Sequence, residues 1–400
     1  MHVDADLHIH SRFSGGTSPK MTVQRLATEA QRKGIQLLGT GDCLHPVWRR
    51  ELTQAGDIND GIITVDGTSF LLTTEVEDTN RVHHLLLFPS WQAVDAFREQ
   101  IAPAADALDT AGRPHVSLNG AMIADAAHDA GGLIGPAHAF TPWTAMYAYH
   151  DSLHDCYADS KVDFLELGLS ADSDYADSID ELHELTFLSN SDSHSPYPIR
   201  LAREFNRFDI AAITWDEIRR ALLHRGGRRI ILNVGFPPSE GKYNRTACTS
   251  CYRQYDIDEA RRRDWRCGCR GRIKKGVRDR VAELASHDEP EHPDHRPPYL
   301  HLLPLAEIIG AALQVSPRSQ TVQRRWEHLM DHFGSEITVL LDASIEDIQQ
   351  VASSAVTHAI QAFRSGDITI HPGGGGKYGE LELPRTHGDR QQQRRLMEWN

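Results

Sequence analysis

The 400-residue chain carries 40% hydrophobic, 24% charged and 7% aromatic side chains. That is the make-up of an ordinary globular chain of two or three domains, which excludes a disordered, collagenous or disulfide-stapled protein. The net charge of −14 argues against a polyanionic partner over most of the surface, yet residues 242–280 hold 13 Lys and Arg against 5 Asp and Glu, a local +8 that leaves −22 elsewhere. No apolar run approaches the ~18 residues that span a bilayer, and MHVDADLHIH lacks the regions of a secretory signal. The expected setting is the cytoplasm, with no membrane partner.

Over roughly the first 235 residues, short apolar strands alternate with helices, the pattern of an α/β fold. A strand is expected over 6–10, a helix capped by Thr22 and stopped by Gly34, then strands over 35–38, 70–73, 85–88, 133–134, 164–167 and 186–188. Helices fall near 91–108 and 119–130. Thr214 to Glu217 forms a capping box that opens a helix ending at Gly226-Gly227. Beyond Pro237-Pro238 a basic, Cys-containing insert runs to about 285, and 286–298 reads as a solvated connector. The remainder begins a new α+β unit. Leu305, Ile308, Ile309, Ala312 and Leu313 share one helical face and Val322, Trp326, Leu329, Met330 and Phe333 another, followed by a strand over 337–341, a helix over 344–363 and the glycine loop PGGGGKYGE. The chain thus divides into 1–236, 237–285 and 286–400, with no internal repeat.

Chemistry concentrates in the first unit. His8 and His10 sit two apart on the expected first strand, so alternation puts both imidazoles on one face, about 7 Å apart at Cα. Asp42, Glu75, His83, His84, His138, Asp192 and His194 all fall at or just after expected strand ends, where α/β sheets gather their ligand sites. Imidazoles with bridging carboxylates make the ligand set of a multinuclear hydrolytic centre for Zn, Mn or Fe. His45, His115 and His128 read as packed or surface histidines.

In the insert, Cys248-x-x-Cys251 and Cys267-x-Cys269 supply four thiolates suited to one structural, tetrahedral Zn. Around them lie Arg261, Arg262, Arg263, Arg266, Arg270, Arg272, Lys274 and Lys275, interleaved with Tyr252, Tyr255 and Trp265, a pattern that suits a nucleic-acid backbone with rings available for stacking. Cys43 and Cys156 read as isolated thiols. The glycine loop lacks the spacing of a nucleotide-binding loop, and a flexible turn or a nucleic-acid contact both remain open for it.

DLHIHS, TGD, TTE, VHH, AHAF and SDSHS, in this order, resemble the metal motifs of the PHP (polymerase and histidinol phosphatase) family, whose fold is a distorted β/α barrel around a trinuclear centre. Two departures stand out: Ser14-Gly15-Gly16 lacks an Asp of the family pattern, and Asp42 stands where a His is usual. The stretches 5–14, 40–48, 75–84, 248–280, 296–309, 333–343 and 372–380 resemble the endonuclease Q branch, so the likeness spans nearly the whole chain. It implies metal ligation by His8, His10, Asp42, Glu75, His83, His138, Asp192 and His194, with Glu75 bridging and Asp192, Glu75 and His194 serving catalysis. Adjacent strand residues face opposite ways, so only one of His83 and His84 enters the centre, and His83 is the expected one. The resemblance further implies two or three divalent ions (Zn, Mn or Mg) and a nucleoid-associated DNA repair endonuclease that nicks 5′ to uracil, hypoxanthine, xanthine or an abasic site. The alternatives are a PHP-type phosphoesterase on a small phosphate ester and a DNA-binding scaffold with a degenerate centre. No protein partner is identifiable, and RRLMEWN shows no clamp-binding peptide.

Overall fold

A computed structural model describes residues 1–384; RRLMEWN lies outside the described residues. The chain forms a mixed α/β structure around a twelve-stranded mixed sheet. His2–Asp6 runs parallel to Leu37–Gly39 and antiparallel to Phe205–Asp209. Leu37–Gly39 pairs in parallel with the long strand Thr68–Glu77, which pairs antiparallel with His83–Phe88, and that strand in turn with Leu133–Pro136. Phe164–Glu166 and Thr186–Leu188 form a separate parallel pair.

These strands are buried on both faces, which is why they read as unbroken apolar runs rather than alternating ones. In His83–Phe88, Leu85 and Leu87 join one cluster with Val3, Ala5, Leu37, Leu71, Phe164 and Leu188, while Leu86 and Phe88 join the larger core under the helices. The histidine pair of the first segment lies just past its strand: the strand ends at Asp6, and beyond it only Ile9 bridges, to Ser193. That bridge lays the two His-bearing segments side by side.

Other expected elements differ for local reasons. Thr22 occupies the N-cap of Val23–Lys33 without a side-chain bond, and Gly34 ends the helix at φ 98°. The helix from Trp91 stops at Ile101, where Pro103 turns the chain into a 3₁₀ segment. The expected strand over 337–341 is instead a wide helical turn, Thr338–Asp342. Carbonyls at its C-terminal end are taken by one guanidinium: Arg364 donates to Val339, Leu340 and the capping Ala343, so the turn's last carbonyls are satisfied without a strand partner. The expected helix over 344–363 breaks into Ile345–Val351 and Ser354–Ser365.

The connector is not wholly solvated, because Arg296 is buried and paired with Asp177 at 2.8–3.0 Å. Further along, Tyr299–His301 adds a strand to the main sheet beside Arg229–Gly235. Glu336 is a second tie. Buried, it accepts from Lys33 Nζ at 2.7 Å, Leu305 N at 3.0 Å and Trp326 Nε1 at 2.6 Å, joining the first helix to the C-terminal ones. Truncating one partner of such a network strands the others in a dry interior.

Among the described residues no helix is long and apolar enough to cross a membrane.

Glu204 is fully buried, accepting from Phe236 N at 2.8 Å with its second oxygen unpaired, and burial pushes its carboxyl up to about 8. The folded state therefore binds a proton there that the unfolded chain releases above its ordinary value of 4.5, so stability falls as pH rises from 4.5 through 8. Glu204→Gln, which stays neutral, is expected to flatten that decline. Thermal melts at pH 5 and pH 8 should show the wild type losing several degrees more than the variant, and equal losses would contradict the assignment.

Candidate metal centre

The centre is built at strand ends from side chains that sit together because their backbones are held in unusual conformations. Asp42, His138 and Asp192 all adopt positive φ, at 49°, 32° and 45°. Left-handed backbone at non-glycine residues costs energy that the surroundings must hold, and such residues cluster at functional sites. One neighbour permits this: a Cβ on Gly168 would stand 2.6 Å from His138 Cβ.

Glu75, on the long strand, is completely buried and meets four imidazoles. Its Oε1 lies 2.8 Å from His83 Nδ1, 3.0 Å from His138 Nε2 and 3.7 Å from His8 Nε2, and its Oε2 lies 3.4 Å from His10 Nε2. Asp192 closes the far side, its Oδ1 3.0 Å from His10 Nε2 and 3.8 Å from His8 Nε2. The half-buried His194 ring lies 4.4 Å from that of His10, centroid to centroid, and tilted against it by 51°.

Three overlapping groups of donor atoms result, each within 4.8 Å of one another: His8, His10 and Glu75; His10, Asp192 and His194; Glu75, His83 and His138.

Behind these atoms stand others that aim them. Glu166 accepts from His8 Nδ1 at 2.9–3.0 Å, from the His138 amide at 2.9 Å and from Asn190 at 2.8 Å. Asp42, expected among the ligands, stands at this second level. Its Oδ1 faces His10 Nδ1 at 3.2 Å, and its Oδ2 accepts from Ser11 N and Oγ at 2.8 and 2.5 Å. Ser14, in the stretch Ser14-Gly15-Gly16 noted above, donates to the same carboxylate at 3.0 Å.

His83 and His84 face opposite ways. The first enters the centre; the second is buried against Tyr157, 2.7 Å from its hydroxyl. His45, His115 and His128 stay outside it, His45 capping a helix and His128 paired with Asp163.

The electrostatics favour cations. Burial works to raise the Glu75 carboxyl, but His83, His138 and His8 outweigh it and hold the group well below its ordinary range. Burial likewise opposes charge on His8, yet Glu166, then Glu75 and Asp192, drive it up to about 9. A cation bound here would compete with protons for the same nitrogens. The donor set fits such ions: His8 Nε2, His10 Nε2 and Asp192 Oδ1 are buried, converge and have no hydrogen-bond partner.

Arg113, absent from the sequence reading, places Nη1 3.0 Å from Glu75 Oε2 and remains partly exposed. Beside the centre opens a cavity of about 650 Å³, whose lining includes Trp143, Phe236, Tyr243, Tyr378, Arg203 and Glu240. Thr141 lines it too and lies 3.1 Å from His138 Nδ1, while Arg203 donates to the carbonyl of Ser191, next to Asp192.

The four cysteines of the insert form a separate group, with Cys248–Cys269 and Cys251–Cys267 sulfurs each 3.5 Å apart. This is close to the edge of a tetrahedral thiolate site. Tyr255 donates to Cys267 Sγ at 3.0 Å, and Cys248, Cys267 and Tyr255 pack with Ala260 and Ile273 as a separate small core. The glycine loop braces them: Gly374 bridges to Arg245, and Gly375, at φ 65°, lies against the Cys248 carbonyl.

Of the eight basic residues, Arg261 and Lys275 pair with Glu283 and Arg263 with Glu259. Arg262, Arg266, Arg270 and Arg272 are exposed with no ion-pair partner among the described residues. Lys274 lies over the Trp143 ring at 4.7 Å, linking the insert to the cavity.

Residues 304–367 match the family model of the MJ0043 C-terminal domain. The chain is similar to the lesion-specific endonuclease PfuEndoQ from Pyrococcus furiosus, at 49% identity and a TM-score of 0.94 over 98% of this chain and 99% of that one. It is similar also to endonuclease Q in complex with a 27-mer duplex bearing an abasic lesion at the active site, at 50% identity and a TM-score of 0.91 over 96% and 97% of the two chains. An uncharacterized protein of Methanocaldococcus jannaschii, MJ0043, is 45% identical over 252 residues, 62% of this chain, which spans about a third (31%) of that relative's length.

Glu166 holds His8 and His138 without reaching the cluster of facing donor atoms. Glu166→Gln is therefore expected to weaken divalent-metal affinity ~10–100-fold while the fold persists. Calorimetric titration of stripped protein with Mn or Zn checks this, and an unchanged affinity would contradict the aiming role.

Proposed function

The chain belongs to the endonuclease Q family, and on that premise we propose that it is a metal-dependent DNA repair endonuclease, which hydrolyses the phosphodiester 5′ to a deaminated base or an abasic site. The observation that carries this reading is a likeness of 49–50% identity over almost the entire chain to endonucleases of stated lesion specificity, one of them bound to abasic DNA. A small-molecule phosphoesterase would leave the exposed arginines of the insert without a purpose.

In this reading the ring of strands closes as a PHP-type distorted barrel over 1–236, residues 237–285 form a zinc-binding module, and 286–400 form a C-terminal unit that contacts DNA in the cytoplasm, on the nucleoid. His8, His10, Glu75, His83, His138, Asp192 and His194 would hold two or three divalent ions, and the four cysteines one Zn. Ions so held would lower the pKa of water and neutralise the charge that develops on the phosphoryl and leaving oxygens. The side chains do the rest. Glu75 and Asp192 set the spacing of the centre, and Arg113 offers a guanidinium at its rim to a non-bridging phosphate oxygen. Burial, with His10 beside it, lowers the His194 imidazole from its ordinary value, which favours the neutral ring that a metal ligand needs. Arg262, Arg266, Arg270 and Arg272 contact the backbone, which fixes register without reading sequence. Hydrolysis adds water's oxygen to phosphorus and releases one ester oxygen as an alcohol.

The adjoining cavity suits a flipped base, since its rings stack on any nucleobase and a badly paired base is cheap to extrude. Glu240 supplies the discrimination. Deamination of cytosine or adenine converts a ring nitrogen from acceptor to N–H donor, and burial, reinforced by Glu307, pushes the Glu240 carboxyl up to about 7. At neutral pH it can accept that N–H as carboxylate or donate to the new carbonyl as acid.

The test is nicking of end-labelled duplexes carrying one uracil, hypoxanthine, xanthine or abasic site against an undamaged control. Wild type is expected to give one metal-dependent nick 5′ to each lesion, and Asp192→Ala to lose it by ~10²-fold or more. Glu240→Ala should lose ~10–100-fold on the base lesions, the energy of one or two hydrogen bonds, while keeping the abasic rate. Phosphate release from small monoesters without nicking would overturn the nuclease reading.

A further inference from the structure

Behind the strand that carries His83 lies a second group of metal-ligating side chains outside the centre described above. Asp78 follows the end of Thr68–Glu77, His84 sits on the neighbouring strand, and Cys156 belongs to the short helix Leu153–Tyr157. A carboxylate oxygen, a ring nitrogen and the sulfur lie within 4.8 Å of one another, and all three residues are buried.

Two of these atoms lack partners. Asp78 spends Oδ1 on the amides of Asn80 and Val82, each at 2.8 Å, which leaves Oδ2 buried and unbonded. His84 Nε2 is likewise buried and unbonded, 3.4 Å from Asp78 Oδ2. An unpaired carboxylate oxygen and an unpaired imidazole nitrogen, both dry and aimed at one point, cost free energy that a shared cation recovers. The 3.4 Å separation matches two donors on one tetrahedral ion with bonds of about 2.0 Å.

The surroundings are those of a ligand as well. His84 Nδ1 lies 2.7 Å from Tyr157 Oη; with the proton on Nδ1 donated to that oxygen, the Nε2 lone pair is free, the usual arrangement of a metal-binding histidine. Gly120 leaves the space: a Cβ there would stand 2.9 Å from Cys156 Sγ and 3.2 Å from His84 Cε1.

We propose that Asp78, His84 and Cys156 bind a structural divalent ion of the Zn class, separate from the catalytic centre and from the four-cysteine site. One carboxylate, one neutral imidazole and one thiolate give the N, O and S donors that zinc accepts, and burial keeps the ion from substrate. Binding releases the thiol proton to solvent. Such an ion pins the helix carrying Cys156 to the strand pair, and by holding His84 it fixes the strand from which His83 faces the other way.

The direct test is anomalous scattering from wild-type crystals at the zinc edge. A peak ~2.0–2.3 Å from Asp78 Oδ2, His84 Nε2 and Cys156 Sγ is expected, and a map with peaks at the four cysteines and none here overturns the proposal. Metal analysis of the full chain gives an independent readout. Cys156→Ala and Asp78→Asn are each expected to lose one equivalent of zinc relative to wild type, whereas wild-type zinc content in both folded variants overturns it.

Discussion

A carboxylate with no exposure to water, set among four imidazoles, organises this molecule. Glu75 is tolerable where it stands only because the rings of His83, His138, His8 and His10 close round it and can offset its charge, or share cations with it. Much of the neighbouring architecture answers that requirement. Glu166 and Asp42 take up the second nitrogens of His8 and His10, so those rings cannot turn away from the carboxylate. The segments bearing Asp42, His138 and Asp192 accept left-handed backbone to bring their side chains in.

The same requirement explains how the parts of the chain are joined. The proposed hydrolysis on a duplex needs a rigid centre beside a cavity and a cationic surface. The insert reaches the cavity through Lys274 over Trp143, and the C-terminal helices are tied to the first helix through the buried Glu336 hub. The glycine loop, open in role from its sequence, lies against the cysteine group and so braces the insert.

Much of this was legible in the sequence, because strand ends are readable and ligand sites gather there. His8 and His10 were read from alternation along a strand and Glu75, His83, His138, Asp192 and His194 from strand ends, and the structure brings all seven together. The four cysteines were readable from spacing alone. What escaped depends on contacts between distant segments. Asp42 looks like any other acid at a strand end until Ser11, Ser14 and His10 are seen to consume it. Glu166 did leave a signal, an acid inside the apolar run FLEL, since such a charge is buried only with partners. Arg113 left none. The run over 337–341 reads as a strand by composition, whereas the structure closes it helically with its carbonyls capped by Arg364 from a later helix. Cys156 reads as a lone thiol because Asp78 and His84 are far from it in sequence.

In the proposed function, the Glu75 cage holds the ions that drive hydrolysis. The most direct measurement strips the protein of metal, reloads it stepwise with Mn, and follows bound equivalents together with the rate of nicking at an abasic site. The account predicts that nicking is absent at zero occupancy and rises with filling of the centre, and that Glu75→Gln neither reloads nor nicks. Full-rate nicking by the stripped protein, or a Glu75→Gln variant that nicks at the wild-type rate, would contradict it.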